Sequence, residues 1–120
     1  MKPLFIMAVV ALSALPLMVQ AHAHLMRATP ADGSVVQAAP EIFSLSFSEA
    51  AHLTALSIQK QGEAQPQKIA PLPTDAGQDF RIPAPKLGPG VYTLRYRVVA
   101  ADDNHVSGGL ITFSVAAAAP

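Results

Sequence analysis

Phe43-Ser44-Leu45-Ser46-Phe47 decides the fold class, because apolar and small polar residues alternate along it without a break. A two-residue period puts the three large side chains on one face of an extended chain and the serines on the other. The same period recurs at Tyr92, Leu94, Tyr96 and Val98, with Arg95 and Arg97 turned the opposite way, and again at Ile111, Phe113 and Val115. Weaker candidates for strands are residues 55–59, 67–70 and 79–82, and residues 24–28 read as a first strand. Between them stand Pro30-Ala31-Asp32-Gly33, Gln61-Gly62, Pro71-Leu72-Pro73, Pro83-Ala84-Pro85 and Gly88-Pro89-Gly90. Proline presets φ and glycine accepts positive φ, so these clusters are turns. About seven short strands separated by regular turns predict an all-β Greek-key sandwich or small β-barrel. Residues 50–53 are expected to form a single helical turn, and residues 116–120 a frayed tail.

The first residues read as a targeting signal rather than as structure. Lys2 supplies a positive start, residues 4–18 are apolar apart from Ser13 and Pro16, and small residues follow at Ala21 and Ala23. The apolar stretch falls short of the ~20 residues that span a bilayer. Residues 1–21 are therefore expected to be a cleaved signal peptide and residues 22–120 one β domain. Cleavage after Ala21 exposes His22, and cleavage after Ala23 exposes His24, so a histidine leads in either case.

The chain has no cysteine, although export usually brings disulfides to small domains. An apolar core must hold the fold, and thiolate metal chemistry is excluded. Loss of Lys2 with the signal leaves seven Lys and Arg against eight Asp and Glu, a net charge of −1. With no basic patch to neutralise phosphates, nucleic acid is excluded as a partner.

A leading histidine can chelate a metal through its α-amine and its ring together. Asp103-Asn104-His105 is a second cluster of donors. In an extended segment residues two apart share a face, which would bring the Asp103 carboxylate beside the His105 ring. Amine, two imidazoles and a carboxylate suit tetragonal Cu(II), whereas Zn(II) would need the same donors in a tetrahedron. Because the amine and imidazoles bind only when deprotonated, affinity should fall as pH drops.

The run from His22 to Ser34, which contains His22-Ala23-His24-Leu25 and Thr29-Pro30-Ala31-Asp32-Gly33-Ser34, resembles the mature start of periplasmic copper-resistance proteins of the CopC type. Phe47-Ser48-Glu49, Gly90-Val91-Tyr92-Thr93-Leu94, Val98-Val99, the Asp-x-His loop and residues 109–115 resemble the family's later segments, in the family's order. The resemblance implies an immunoglobulin-like Greek-key barrel with a Cu(II) site at one end. It implies His22 as a histidine brace completed by Asp103 and His105, with Glu49 close to the copper. The loop runs one residue longer than is usual, so Asp102 stands as the alternative to Asp103. Val106 replaces a frequent proline. The family's Met-rich Cu(I) segment is missing, since only Met26 follows the signal, which implies a Cu(II)-only protein. His24 is expected to be a strand residue and His52 a solvated loop residue.

These features point to a monomeric periplasmic protein that buffers or delivers copper in homeostasis or resistance, with an inner-membrane importer as a possible partner. A copper-dependent histidine-brace oxygenase is the alternative from another class. Such enzymes need an open oxygen position and an aromatic platform, but this chain has no Trp and two tyrosines that share the predicted core face. The third reading is a metal-free structural sandwich.

Overall fold

The alternating run Phe43–Phe47 proves to be the first part of a strand far longer than the sequence predicts. In the structure, a computed structural model that describes residues 23–117, β3 runs from Ile42 to Lys60 without interruption. Around it lie β1 (Leu25–Thr29), β2 (Ser34–Val36), β4 (Gln67–Lys68), β5 (Gly77–Pro83), β6 (Gly90–Ala100) and β7 (Val106–Val115). The hydrogen-bonded order is β1-β3-β6-β7-β2, with β4 and β5 also paired to β3. All pairings are antiparallel except that of β2 with β7. The all-β class and the strand count are as expected. No helix among the described residues is long and apolar enough to cross a membrane.

β3 serves two neighbourhoods. Its first part lies between β1 and β5, and its second between β6 and β4. Inward residues follow the two-residue period through Phe43, Leu45, Phe47, Ala51 and Leu53, then resume at Leu56 and Ile58. The phase slips where the register shifts between Leu53 and Ala55, a bulge that adds one residue and bends the strand.

Residues 50–53 are strand, not the predicted helical turn. Ala51 is paired on both sides, to Gly77 and to Ala100, and the Ala50 carbonyl accepts the Ala101 N–H at 3.0 Å. One isolated helical turn gains a single hydrogen bond for several fixed residues, so cross-strand pairing wins. The candidate strand 55–59 is thus the continuation of β3. At the other end Ala116, predicted to begin a frayed tail, still donates to the Val36 carbonyl at 2.9 Å.

The predicted turn at Pro30–Gly33 is present and anchors a strand that the sequence pattern did not reveal. Ser34 donates its N–H to the Ala31 carbonyl at 3.0 Å, with Gly33 at φ +83°. Gly33 N–H donates to the Thr112 carbonyl at 2.6 Å, and Asp32 Oδ1 accepts the Thr112 N–H at 2.8 Å. These bonds set β2 beside the end of β7.

The core is built from the alternating strands. Phe113 stands edge-on to Phe43 (centroids 6.0 Å apart) and stacked on Tyr92 (5.7 Å), whose hydroxyl donates to the Gly88 carbonyl at 2.7 Å. Tyr92 and Tyr96 both face inward, as expected, although Tyr96 is only half-buried. β6 and β7 approach closely at two glycines. A Cβ on Gly108 would lie 2.7 Å from the Tyr96 carbonyl oxygen, and one on Gly109 would strike the Tyr96 ring. Because the obstacle at Gly108 is backbone, Gly108→Ala is expected to cost about 1–3 kcal/mol through overpacking. Thermal denaturation of the purified variant measures this, and an unchanged midpoint would show that the two strands can part without cost.

Candidate metal centre

Three segments distant in sequence meet at one end of the sheet, and hydrogen bonds tie each to the others. Ser48 on β3 donates its N–H to the His24 carbonyl at 2.8 Å and accepts the His24 N–H on Oγ at 2.9 Å. Ala50 accepts from Ala101, the first residue after β6. Ser107 at the start of β7 donates its Oγ–H to the Ala23 carbonyl at 3.1 Å, a link across 84 positions. Ala23 is buried beneath these contacts.

The turn between β6 and β7 carries the predicted donors. Ala100 accepts the Asn104 N–H at 3.0 Å and donates its own N–H to the His105 carbonyl at 2.8 Å. Asn104 takes a left-handed conformation at φ 60°, which asparagine tolerates better than most residues. This reversal folds the Asp103 carboxylate back onto residue 105. Oδ1 accepts the His105 N–H at 3.1 Å, and Oδ2 lies 3.4 Å from the ring Nδ1. The pair therefore meets through a tight turn, not through the extended alternation that the spacing suggested. The His105 side chain is 57% exposed and that of Asp103 34%, so both are open to an ion from solvent. Asp102 lies exposed on the same turn, and it is Asp103 whose carboxylate faces His105.

Glu49 occupies the inward series of β3 between Phe47 and Ala51. Its Oε1 is buried and has no hydrogen-bond partner among the described residues. An unsatisfied carboxylate oxygen in a desolvated position is costly, so it calls for a donor or a cation. The inward position of Glu49 follows by counting on in twos from Phe43, Leu45 and Phe47. No sequence signal marked Ser48 or Ser107, whose roles exist only through long-range contacts.

Among the described residues no group of three or more His, Asp, Glu or Cys closes on a metal position. Asp103 and His105 are brought together, while the predicted His22 lies outside the described residues. His24 precedes β1 with its backbone bonded to Ser48. His52 sits on a strand, not in a loop, exposed on the outer face of β3 in register with Val99. Tyr96 packs edge-on against Phe47 at 5.6 Å, and burial pushes its phenol above the usual tyrosine range. It is neutral at physiological pH and supplies no anionic oxygen.

A small all-β domain with oxygen and nitrogen donors gathered at one end is the class these features define. The CopC domain matches residues 25–116, and the chain belongs to the CopC family. Protein YobA of Escherichia coli strain K12 and that of Shigella flexneri are each 37% identical to it over 102 residues, covering 81% of this chain and 81% of each relative. CopC from Methylosinus trichosporium OB3b shares the fold, with a TM-score of 0.69 at 23% identity over 82% of this chain and 98% of that one. PcoC, a methionine-rich copper resistance protein from Escherichia coli, superimposes with a TM-score of 0.56 at 31% identity over 78% and 98% of the two chains.

Proposed function

We propose that this CopC-family protein binds copper as cargo, holding Cu(II) in the periplasm for buffering or delivery, and that it is a binding protein and not an enzyme. Membership of the CopC family and the likeness to a copper resistance protein support copper as the ion. The observation that carries the ligand assignment is the Asp103 carboxylate folded against the His105 ring at 3.4 Å. Imidazole nitrogen beside carboxylate oxygen is a donor set that Cu(II) accepts in a tetragonal array.

His22 as the brace residue is supported by what holds its neighbour. The Ala23 carbonyl is bonded to Ser107, two residues beyond His105. The residue before Ala23 in the chain has its Cα about 3.8 Å from that of Ala23. Processing after Ala23 instead would delete a buried residue and its tie to β7. Binding through the amine, two deprotonated amides and His24 would also sacrifice the His24 N–H bond to Ser48. The donors also support Cu(II) as the oxidation state. Met26 is the sole methionine after residue 21, too little thioether for Cu(I), in contrast to the methionine-rich PcoC.

Glu49 is read as the group that orients a ligand or a bound water through its buried oxygen. Glu49→Gln preserves shape but removes the charge, and it is expected to weaken Cu(II) binding about 10–100-fold. A competition titration against a chelator of known affinity reads this, and equal affinity for the two proteins would remove Glu49 from the site.

The decisive experiment combines the intact mass of the exported protein with a Cu(II) titration followed by electron paramagnetic resonance. A product beginning at His22, nitrogen hyperfine structure, and marked weakening on acetylation of the α-amine are expected. Acidification should release copper, because protons compete for the imidazoles and the amine. Undiminished binding by the acetylated protein, or affinity that does not change with pH, defeats the ligand set.

A further inference from the structure

Among the described residues, β7 is covered along only part of its outer edge. β2 pairs with Phe113–Val115, and Asp32 and Gly33 engage Thr112. Thr112 therefore turns its N–H and C=O away from β6. Alternate residues of an antiparallel strand share that direction, so Leu110, Gly108 and Val106 aim their backbone groups at the same edge. No strand pairs with that edge among the described residues. Edge strands are normally blunted by charge, proline or a bulge. Val106-Ser107-Gly108-Gly109-Leu110 contains no charge or proline, and it pairs with β6 without a register break. Val106 and Leu110 are 58% and 54% exposed on the outer face.

The charge on the strand next to this edge is positive, while the acidic groups, Asp32 and Asp102–Asp103, lie at its two ends. Arg97 and Arg95 stand outward on β6, directly across from Gly108 and Leu110. With Lys68 they line an open groove of about 1010 Å³ on the same face. Among the described residues the ion pair present is that of Asp103 with His105, so neither guanidinium has an anion. Because Gly108 carries no side chain, the space between Arg97 and an added strand is empty. Two strand spacings, about 9.6 Å, separate them, a gap that an Arg and a Glu side chain can close together.

We propose that the Val106–Leu110 edge docks an extended segment of a partner protein, one with a carboxylate opposite Gly108 and apolar residues two positions to either side. The backbone edge supplies affinity, as in other strand additions, while Val106, Leu110 and the arginines select the side chains. A second copy of the chain is disfavoured, since its own Val106–Leu110 edge carries no carboxylate to meet the arginines. The edge begins at the residue after His105, so the docked segment lies beside the donor turn. The inference stands on the edge and its charge alone, independent of metal binding.

The probe is a capped peptide, Thr-Val-Thr-Glu-Thr-Val-Thr, titrated into the isotopically labelled protein with and without copper. Amide shifts and slowed exchange confined to Val106, Gly108, Leu110 and their neighbours are expected. Arg97→Glu should weaken binding about fivefold, and a Lys-for-Glu peptide should reverse that preference. Leu110→Pro, which removes an N–H directed at the open edge, should abolish binding. The proposal is overturned if both peptides bind wild type and Arg97→Glu equally, if the shifts map elsewhere, or if sedimentation shows a dimer that occupies the edge and excludes the peptide.

Discussion

Replacing His105 with alanine is expected to cut Cu(II) affinity between about a hundred- and a thousandfold while leaving the fold intact. If copper is held about as strongly as a structural zinc ion, roughly 10–16 kcal/mol, its share over four donors is about 2.5–4 kcal/mol for each. The fold should be spared because His105 contributes to it through its backbone. Its carbonyl accepts from Ala100 and its N–H donates to Asp103 Oδ1, and alanine keeps both bonds. The ring itself is mostly exposed, and truncating an exposed side chain usually changes stability by no more than about 0.5 kcal/mol. Chelator competition and thermal denaturation on the same sample separate the two effects. Copper held as tightly by the variant as by wild type would rule out the Asp-x-His turn as a ligand source. Asp103 makes a useful contrast. Asp103→Ala should lose affinity and also loosen the turn, since its Oδ1 caps the His105 N–H.

Phe113→Ala is expected to destabilise the protein by about 3–5 kcal/mol, the usual cost of emptying an aromatic core site. Phe113 is 1% exposed and joins three elements, touching Phe43 on β3 and Tyr92 on β6 from its own place on β7. In a domain of this size each kcal/mol moves the midpoint about 4–8 °C, so a fall of at least about 12 °C should follow. No disulfide is present to limit the loss. Phe113→Leu retains most of the volume and should cost much less. Equal midpoints for the alanine and leucine variants would indicate that the cavity collapses and that the packing is looser than the ring geometry implies.

The strands could be read from the chain because the property that defines them is periodic and local. Phe43-Ser-Leu-Ser-Phe47 and Tyr92 to Val98 each show which face is buried, and burial in the structure follows that alternation. The same count, carried two residues further, places Glu49 inward. The failure at residues 50–53 has a different origin. Two alanines, a histidine and a leucine have no strong preference for a strand, and only pairing with Gly77 and Ala100 makes them one. β2 was hidden for the same reason: three residues carry too little pattern, and their partner is nearly eighty positions away.

The candidate site divides along that line. The donor types, the Asp-x-His spacing, the absence of thiolates and the scarcity of methionine could all be read from the chain, because these are matters of composition and order. So could the apolar faces, since hydrophobic burial acts residue by residue with the strand's own period. Folding in three dimensions is what turns Asp103 onto His105 through a left-handed Asn104, lets Ser48 and Ser107 draw residues 23 and 24 to the same end, and leaves part of the β7 edge without a partner among the described residues. Each of these depends on hydrogen bonds between segments far apart in the chain, whose formation is set by how the whole sheet closes and not by any local preference.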